Sequence, residues 1–205
     1  MKLLLIQKSL STWSFGFALS ACFFASSCAT TPPPGMEGNI IGQSEYEQIL
    51  DLNSKNIETY QGLYNTVNMS AALVRSQLSE AQLKQKARLY QWDSPYYQQE
   101  ALKRVETMKK QTEVFVSFYT PEKKHDDLHK NQTLWKIFLD AGGKRYEGKA
   151  QKVKLLTSEV QGLYPFHNRF ATPYTITFPV PTTALDGKEA KLTITGSVGS
   201  VAVVF

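Results

Sequence analysis

A polar segment at residues 121–132, PEKKHDDLHKNQ, contains the densest group of side chains that can bind a metal ion. His125 and His129 are four residues apart, and Asp127 lies between them. On a helix this spacing would place both imidazoles on one face, as in zinc-dependent hydrolases. A metal-assisted hydrolase that uses these three residues is therefore one hypothesis. We favour a solvated loop without a metal, because Asp126 stands where zinc proteases have a glutamate and no third ligand is nearby.

A second candidate is the aromatic segment at residues 162–174, GLYPFHNRFATPY. Aromatic rings beside an arginine can form a surface that binds a peptide, a glycan or a lipid headgroup, and the contact candidates are Tyr164, His167 and Arg169. The alternative is that the rings pack into the core and that Arg169 binds backbone carbonyls. If the segment binds a partner, replacing Arg169 and His167 with alanine should leave the melting temperature nearly unchanged.

The rest of the chain lacks the motifs of known catalytic sites. It contains no GxSxG, P-loop or HExxH sequence, and no cysteine follows residue 28. We therefore predict no enzymatic activity and no cofactor. The 23 basic and 18 acidic side chains are interspersed and give a net charge of only +5. Without a basic stripe, a nucleic-acid partner is not expected.

The first 28 residues have the pattern of an export signal. Lys2 and Lys8 precede an apolar run that is densest over residues 15–25, and small residues follow. Polar residues interrupt the run, so we interpret it as a cleaved signal peptide and not as a membrane span. It ends in two short sequences, LSAC at residues 19–22 and ASSC at residues 25–28.

Both sequences resemble the lipobox of bacterial lipoproteins, in which small residues precede the cysteine that becomes the lipidated N-terminus. The resemblance implies that membrane lipid anchors the protein through the acylated cysteine, since several acyl chains give stable anchoring. We favour Cys28, because residues 15–25 then form one apolar region of suitable length. Cys22 is the alternative, with Leu19 at the consensus position.

The resemblance also implies a location in the bacterial cell envelope. Ala29 follows Cys28, whereas lipoproteins retained in the inner membrane have an aspartate there. We therefore expect the outer membrane, with the protein facing the periplasm. A proline-rich stretch follows the cysteine, and such stretches act as extended spacers. The predicted organisation is a signal peptide at 1–27, a lipidated cysteine and tether at 28–42, and a single domain at 43–205.

Within that domain the sequence predicts helices first and strands afterwards. A short helix is expected near residues 44–53, followed by one long, partly irregular strand over residues 60–74. A helical hairpin is expected at about 79–110. Its predicted N-caps are Ser79, in a capping box with Gln82, and Ser94, which precedes Pro95.

After Gln111 the apolar pattern changes to alternation, which is typical of strands. The predicted strands are EVFVSFY, LWKIFLD, KVKLL, YTITFPV, KLTIT and SVAVVF. AGGK and LDGK resemble hairpin turns, and Pro179 indicates a strand end or a sheet edge. The predicted fold is mainly β with α, an antiparallel Ig-like β-sandwich with an inserted helical hairpin and a short N-terminal helix. The predicted function is non-catalytic binding or envelope assembly, with an envelope protein or a glycan as partner.

Overall fold

A computed structural model describes residues 32–205; the predicted signal peptide, Cys22 and Cys28 lie outside these residues. Four α-helices occur in this range: α1 Gln43–Leu52, α2 Ser76–Leu89, α3 Ser94–Lys110 and α4 Thr157–Leu163. Its nine strands are β1 Ser54–Gln61, β2 Tyr64–Val74, β3 Thr112–Tyr119, β4 Trp135–Ala141, β5 Lys144–Glu147, β6 Lys149–Lys152, β7 Thr172–Phe178, β8 Ala190–Gly196 and β9 Gly199–Val204.

The strands form two antiparallel sheets that enclose one apolar core. The large sheet has the order β1-β2-β3-β7-β6, and the small sheet has the order β5-β4-β8-β9. Alternate side chains of both sheets point into the shared core, including Met69 and Val116 from the large sheet and Leu139 and Leu192 from the small one. The predicted mainly-β antiparallel architecture with additional helices is confirmed, and its layering is that of a sandwich.

The first predicted strand is instead a two-stranded hairpin. Gly62 and Leu63 form a two-residue turn between β1 and β2, and Gly62 has a φ angle of 61°. A positive φ at the first turn position suits glycine and matches the right-handed twist of paired strands. The prediction missed β1 because residues 54–61 are mostly polar, which is typical of a strand at a sheet edge.

The helical hairpin lies between β2 and β3 as predicted, but its caps differ. Helix α2 begins at Ser76, so Ser79 lies inside it, and the Ser79 hydroxyl accepts a hydrogen bond from Arg104 Nε at 2.6 Å. Asp93 caps α3, because its Oδ1 accepts the backbone N–H of Tyr96 at 2.9 Å. The predicted N-cap of α2, Ser79, thus lies one turn after the start of the helix. The predicted N-cap of α3, Ser94, lies one residue after the observed cap.

Two further predictions about local structure are wrong. KVKLL is not a strand: β6 ends at Lys152, and the unpredicted helix α4 starts five residues later. LDGK is not a hairpin turn, because it lies in the connection from β7 in the large sheet to β8 in the small sheet. The prediction that Pro179 marks a strand end is confirmed, since β7 ends at Phe178, immediately before it.

The outer face of the large sheet carries a second apolar core beneath the helices. Tyr46 and Leu50 of α1 and Leu78 of α2 pack against Ala72 and Val74 of β2. The phenol of Tyr46 donates a hydrogen bond to the carbonyl oxygen of Leu163 at 2.5 Å, which joins α1 to α4. Helices α1, α2 and α4 therefore form a third layer outside the sandwich.

The packed domain begins before the predicted boundary at residue 43. Met36 is fully buried, and Ile41 belongs to the second apolar core. These two apolar side chains interrupt the polar stretch that was assigned to the tether. The N–H of Met36 also donates to the carbonyl oxygen of Pro33 at 3.0 Å, so the part of the tether that could act as a free spacer ends before Pro33.

The passage between the sheets at Gly148 gives a test of this packing. A Cβ atom there would lie 2.6 Å from Phe178 Cε1 and 2.7 Å from Ile176 Cγ2. We expect Gly148→Ala to lower the free energy of unfolding by about 1–3 kcal/mol, because an overpacked core must shift its side chains. Urea denaturation measures the change.

Gly199→Ala is the matched control, because a Cβ there would lie 3.8 Å from Val67 Cγ2, an ordinary contact distance. Its effect should stay within about 0.5 kcal/mol. Equal stability of the Gly148→Ala variant and the unmodified protein would contradict the close approach of the two sheets at this point.

Candidate functional site

The helices cover only part of the outer face of the large sheet. The covered part is apolar: Ala72 and Val74 of β2 point outward, and Phe115 of β3 lies opposite Ala72. The ring of Tyr164, from the segment after α4, stacks on Phe115 with centroids 3.6 Å apart and an interplanar angle of 6°. The helices and Tyr164 thus bury this half of the outer face and leave the other half of β2 and β3 uncovered.

The other half of the same face is polar and open. Two residues further along the strands, Ser70 lies opposite Ser117, and Asn68 then lies opposite Tyr119. The edge strand β1 continues these two rows with Asn56 beside Ser70 and Glu58 beside Asn68. The outer face thus changes from apolar to polar within one strand repeat.

A cleft of about 850 Å³ lies over the polar half. Its floor is the polar rows of β1, β2 and β3, and one wall is the segment after α4. The cleft is lined by Asp51, Ser54, Lys55, Asn56, Glu58, Asn68, Ser70, Ser117, Tyr119, Phe166, Asn168, Phe170 and Ala171. A volume in this range accommodates a small ligand or a few units of a chain.

Hydrogen bonds hold the floor of the cleft in a fixed arrangement. The Ser70 hydroxyl donates to Asn56 Oδ1 at 3.0 Å, between neighbouring strands. Ser117 Oγ and His167 Nδ1 are 2.8 Å apart, and both side chains are buried. A ligand would therefore meet donors and acceptors whose positions are set before it binds.

The wall of the cleft is fixed by an Asn-based turn. Asn168 Oδ1 accepts the backbone N–H groups of Phe170 at 2.9 Å and Ala171 at 3.1 Å. This turn leaves the Phe170 ring 69% exposed beside the cleft. The Arg169 guanidinium lies over that ring, 4.9 Å from its centroid.

Two of the three predicted partner-binding residues make internal contacts. Tyr164 is stacked on Phe115, and its hydroxyl accepts a hydrogen bond from Gln82 at 2.8 Å. Burial raises the pKa of Tyr164 above its ordinary value. His167 is only 3% exposed, so the prediction that its replacement leaves stability unchanged conflicts with its burial. Arg169 is exposed, and it remains a contact candidate.

The polar segment at 121–132 uses its carboxylates for internal hydrogen bonds. Tyr174 donates its hydroxyl to Asp126 Oδ1 at 2.8 Å, and Thr133 donates to the buried Asp127 Oδ1 at 2.8 Å. The carbonyl oxygen of His125 accepts Trp135 Nε1–H at 2.7 Å, and the His129 ring stacks near Tyr174. Within residues 32–205, no three or more His, Cys, Asp or Glu side chains converge on a position for a metal ion.

The chain matches no protein-family model, no curated protein and no solved structure. None of the helices described in residues 32–205 is both long enough and apolar enough to cross a bilayer. Sequence reasoning missed the floor of the cleft, although one signal was present: Asn68 and Ser70 have the parity of the outward-facing Ala72 and Val74.

Burial of His167 predicts a pH dependence of stability. Burial lowers the pKa of its imidazole below the ordinary value of 6.5. The unfolded chain then binds a proton more readily than the folded chain, so stability falls as the pH drops below about 6.5. Between about pH 7.5 and pH 5.5, urea denaturation should show this loss, at no more than about 1.4 kcal/mol per pH unit.

His167→Asn is the matched variant, because an amide can retain a polar contact to Ser117 and does not titrate. Its stability should decline less over the same pH interval than that of the unmodified protein. Equal declines would show that His167 does not titrate differently in the folded and unfolded chains.

Proposed function

We propose that this protein is a lipid-anchored bacterial envelope protein whose polar cleft binds an oligosaccharide without catalysis. The observation that carries the proposal is the open, hydrogen-bonded floor of the cleft beside an exposed aromatic ring. In an antiparallel sheet, the face turned away from the core is commonly open to water. Here the edge of the helical layer and the Phe170 segment form walls around it.

The chemistry of the lining fits a neutral, hydroxyl-rich ligand. Asn56, Asn68 and Asn168 bring side-chain amides whose oxygens accept internal hydrogen bonds and whose NH₂ groups can donate to sugar hydroxyls. The rings of Phe166 and Phe170 offer apolar surface for the C–H face of a sugar. The charged residues in the lining are Asp51, Lys55 and Glu58, with a net charge of only −1, which does not favour a strongly anionic ligand.

The alternative of a metal-assisted hydrolase would use His125, Asp127 and His129. It would require Asp127 to exchange its hydrogen bond with Thr133 for a metal ion. His129 would also have to leave its position near the Tyr174 hydroxyl, which is 3.4 Å from its Nδ1. A stoichiometric metal ion in the purified protein would favour this alternative over the binding role.

The anchor supports the envelope location. We propose acylation at Cys28, with Cys22 as the alternative, and an outer-membrane position facing the periplasm. Since Met36 is buried and its N–H donates to the carbonyl oxygen of Pro33, the free spacer comprises at most residues 29–32. Four residues in polyproline II conformation extend about 12 Å. The domain would therefore stay close to the bilayer, where envelope glycans and envelope proteins are accessible.

We also propose that the sandwich is of the immunoglobulin-like type. Without β1, the large sheet has the order β2-β3-β7-β6, which corresponds to strands A, B, E and D of an immunoglobulin domain. The small sheet corresponds in the same way to C′, C, F and G. In this interpretation the helical hairpin replaces the short A–B connection, and the cleft lies on the outer face of the A–B–E–D sheet.

The anchor is tested by replacing each cysteine. We expect Cys28→Ala to move the protein from the membrane fraction to the soluble fraction, because the acyl chains can no longer be attached. Cys22→Ala is the control and should leave the protein with the membranes. Quantitative immunoblotting of both fractions gives the readout. Retention of an unlipidated double variant in the membrane fraction would contradict the anchor.

The cleft is tested with a soluble tetramer of β-1,4-linked N-acetylglucosamine as the probe. Asn56→Ala and Asn68→Ala should each weaken binding about tenfold, since each removes side-chain hydrogen bonds worth about 1.4 kcal/mol. Titration calorimetry of the full mature protein measures the affinities.

Asn131→Ala is the control, because Asn131 is an exposed asparagine outside the lining. It should bind like the unmodified protein. If the unmodified protein does not bind the tetramer, or if the control loses as much affinity as the cleft variants, the glycan-binding role of the cleft is wrong.

A further inference from the structure

We propose that the turn between α2 and α3 rests on the surface of the bilayer in which the protein is anchored. We call residues 89–96 the aromatic turn, because Tyr90, Trp92 and Tyr96 lie within it. This inference rests on the proposed lipid anchor and adds the face that the domain presents to the membrane.

The three aromatic side chains form one cluster. The rings of Tyr90 and Trp92 are stacked with centroids 6.3 Å apart, and Trp92 meets Tyr96 edge-on at 4.9 Å. Tyr90 is 44% exposed and Tyr96 is 46% exposed. Leu89, at the start of the turn, is also exposed. A largely apolar patch of these side chains therefore faces solvent.

The backbone of the aromatic turn is well defined. The N–H of Trp92 donates to the carbonyl oxygen of Ala87 at 3.1 Å, which closes the end of α2. Gln91 adopts a positive φ of 51°, and Asp93 caps the next helix. The cluster is thus held in position by the two helix ends, and its exposure does not depend on a loose loop.

The chain enters the domain beside this turn. A Cβ atom on Gly35 would lie 3.9 Å from the Cβ of Ser94, which begins α3. Gly35 is seven residues from Cys28, and seven residues span at most about 25 Å even when fully extended. If Cys28 carries the acyl chains, the aromatic turn cannot be far from the headgroups.

The composition of the turn matches the membrane interface. Tyrosine and tryptophan are enriched at the level of the headgroups, because their rings are apolar and their edges are polar. Charge contributes little, since the charged residues within positions 88–96 are Arg88 and Asp93, one of each sign. The contact should therefore depend on apolar burial and be insensitive to salt.

Tryptophan fluorescence provides a direct test. After removal of Trp13 with the signal peptide, the mature chain contains Trp92 and Trp135. Trp135 is 1% exposed in the sandwich core, so contact with the membrane should change the fluorescence of Trp92 and not that of Trp135. The lipidated protein is reconstituted in phosphatidylcholine vesicles that contain lipids brominated either near the headgroup or near the chain terminus.

We expect the emission of Trp92 to lie at shorter wavelength on vesicles than in detergent-free solution without lipid. The bromines near the headgroup should quench this emission at low and at high salt. Trp92→Phe should abolish this quenching and leave the emission of Trp135. Tyr90→Ser combined with Tyr96→Ser should reduce it. Leu63→Ser combined with Tyr64→Ser is the control, since these exposed residues lie at the β1–β2 turn, and it should change nothing.

Mass spectrometry of the same preparation separates the two proposals. An acylated, vesicle-bound protein whose Trp92 is not quenched would overturn the membrane contact and leave the anchor intact. A protein without acyl chains would overturn the anchor and, with it, the inference that rests on it. Quenching that is equal in the Leu63 and Tyr64 control variant and in the unmodified protein is the result we expect.

Discussion

The fold depends on how the outer face of the large sheet is buried. The inner face packs into the shared core, but the outer face is covered by helices over only part of the length of its strands. Over one half, Ala72, Val74 and Phe115 present apolar side chains outward, and exposing them to water would cost free energy in proportion to their area. Helices α1 and α2 cover Ala72 and Val74, and Tyr164, which follows α4, covers Phe115. Because β2 and β3 extend beyond the area that the helices reach, the helical layer ends at a step.

That step produces the cleft. Beyond it the outward positions become Ser70, Asn68 and Ser117, which can remain in contact with water at no such cost. The segment after α4 then does two things at once: Tyr164 completes the apolar cover on Phe115, and Asn168 directs Phe170 beside the polar floor. The cleft therefore results from the way in which the second apolar core is closed.

The cleft and the aromatic turn lie at different ends of the helical layer. The cleft lies where α1 passes into β1, as its lining by Asp51 and Ser54 shows. The aromatic turn lies at the joint of α2 and α3, beside Gly35. In α3 no residue is fully buried, and Arg104 ties this helix to Ser79 of α2 and to Glu113 of β3 at 2.6 Å each. Polar contacts thus hold the helix that supports the aromatic turn.

The sequence by itself determined the mainly-β antiparallel class, the helical hairpin and the end of β7 at Pro179, because alternation, capping residues and proline act locally. It did not determine the hairpin at Gly62, since the polar strand β1 shows no apolar alternation and is stabilised by its pairing with β2. Only the tertiary structure decided which polar residues line the cleft. Tyr164 and His167 are suitable binding residues by type, but the stack on Phe115 and the contact with Ser117 direct them inward. Asn56, Asn68 and Ser117, which are distant in sequence, become neighbours because strand register aligns them on one face that the helices leave uncovered.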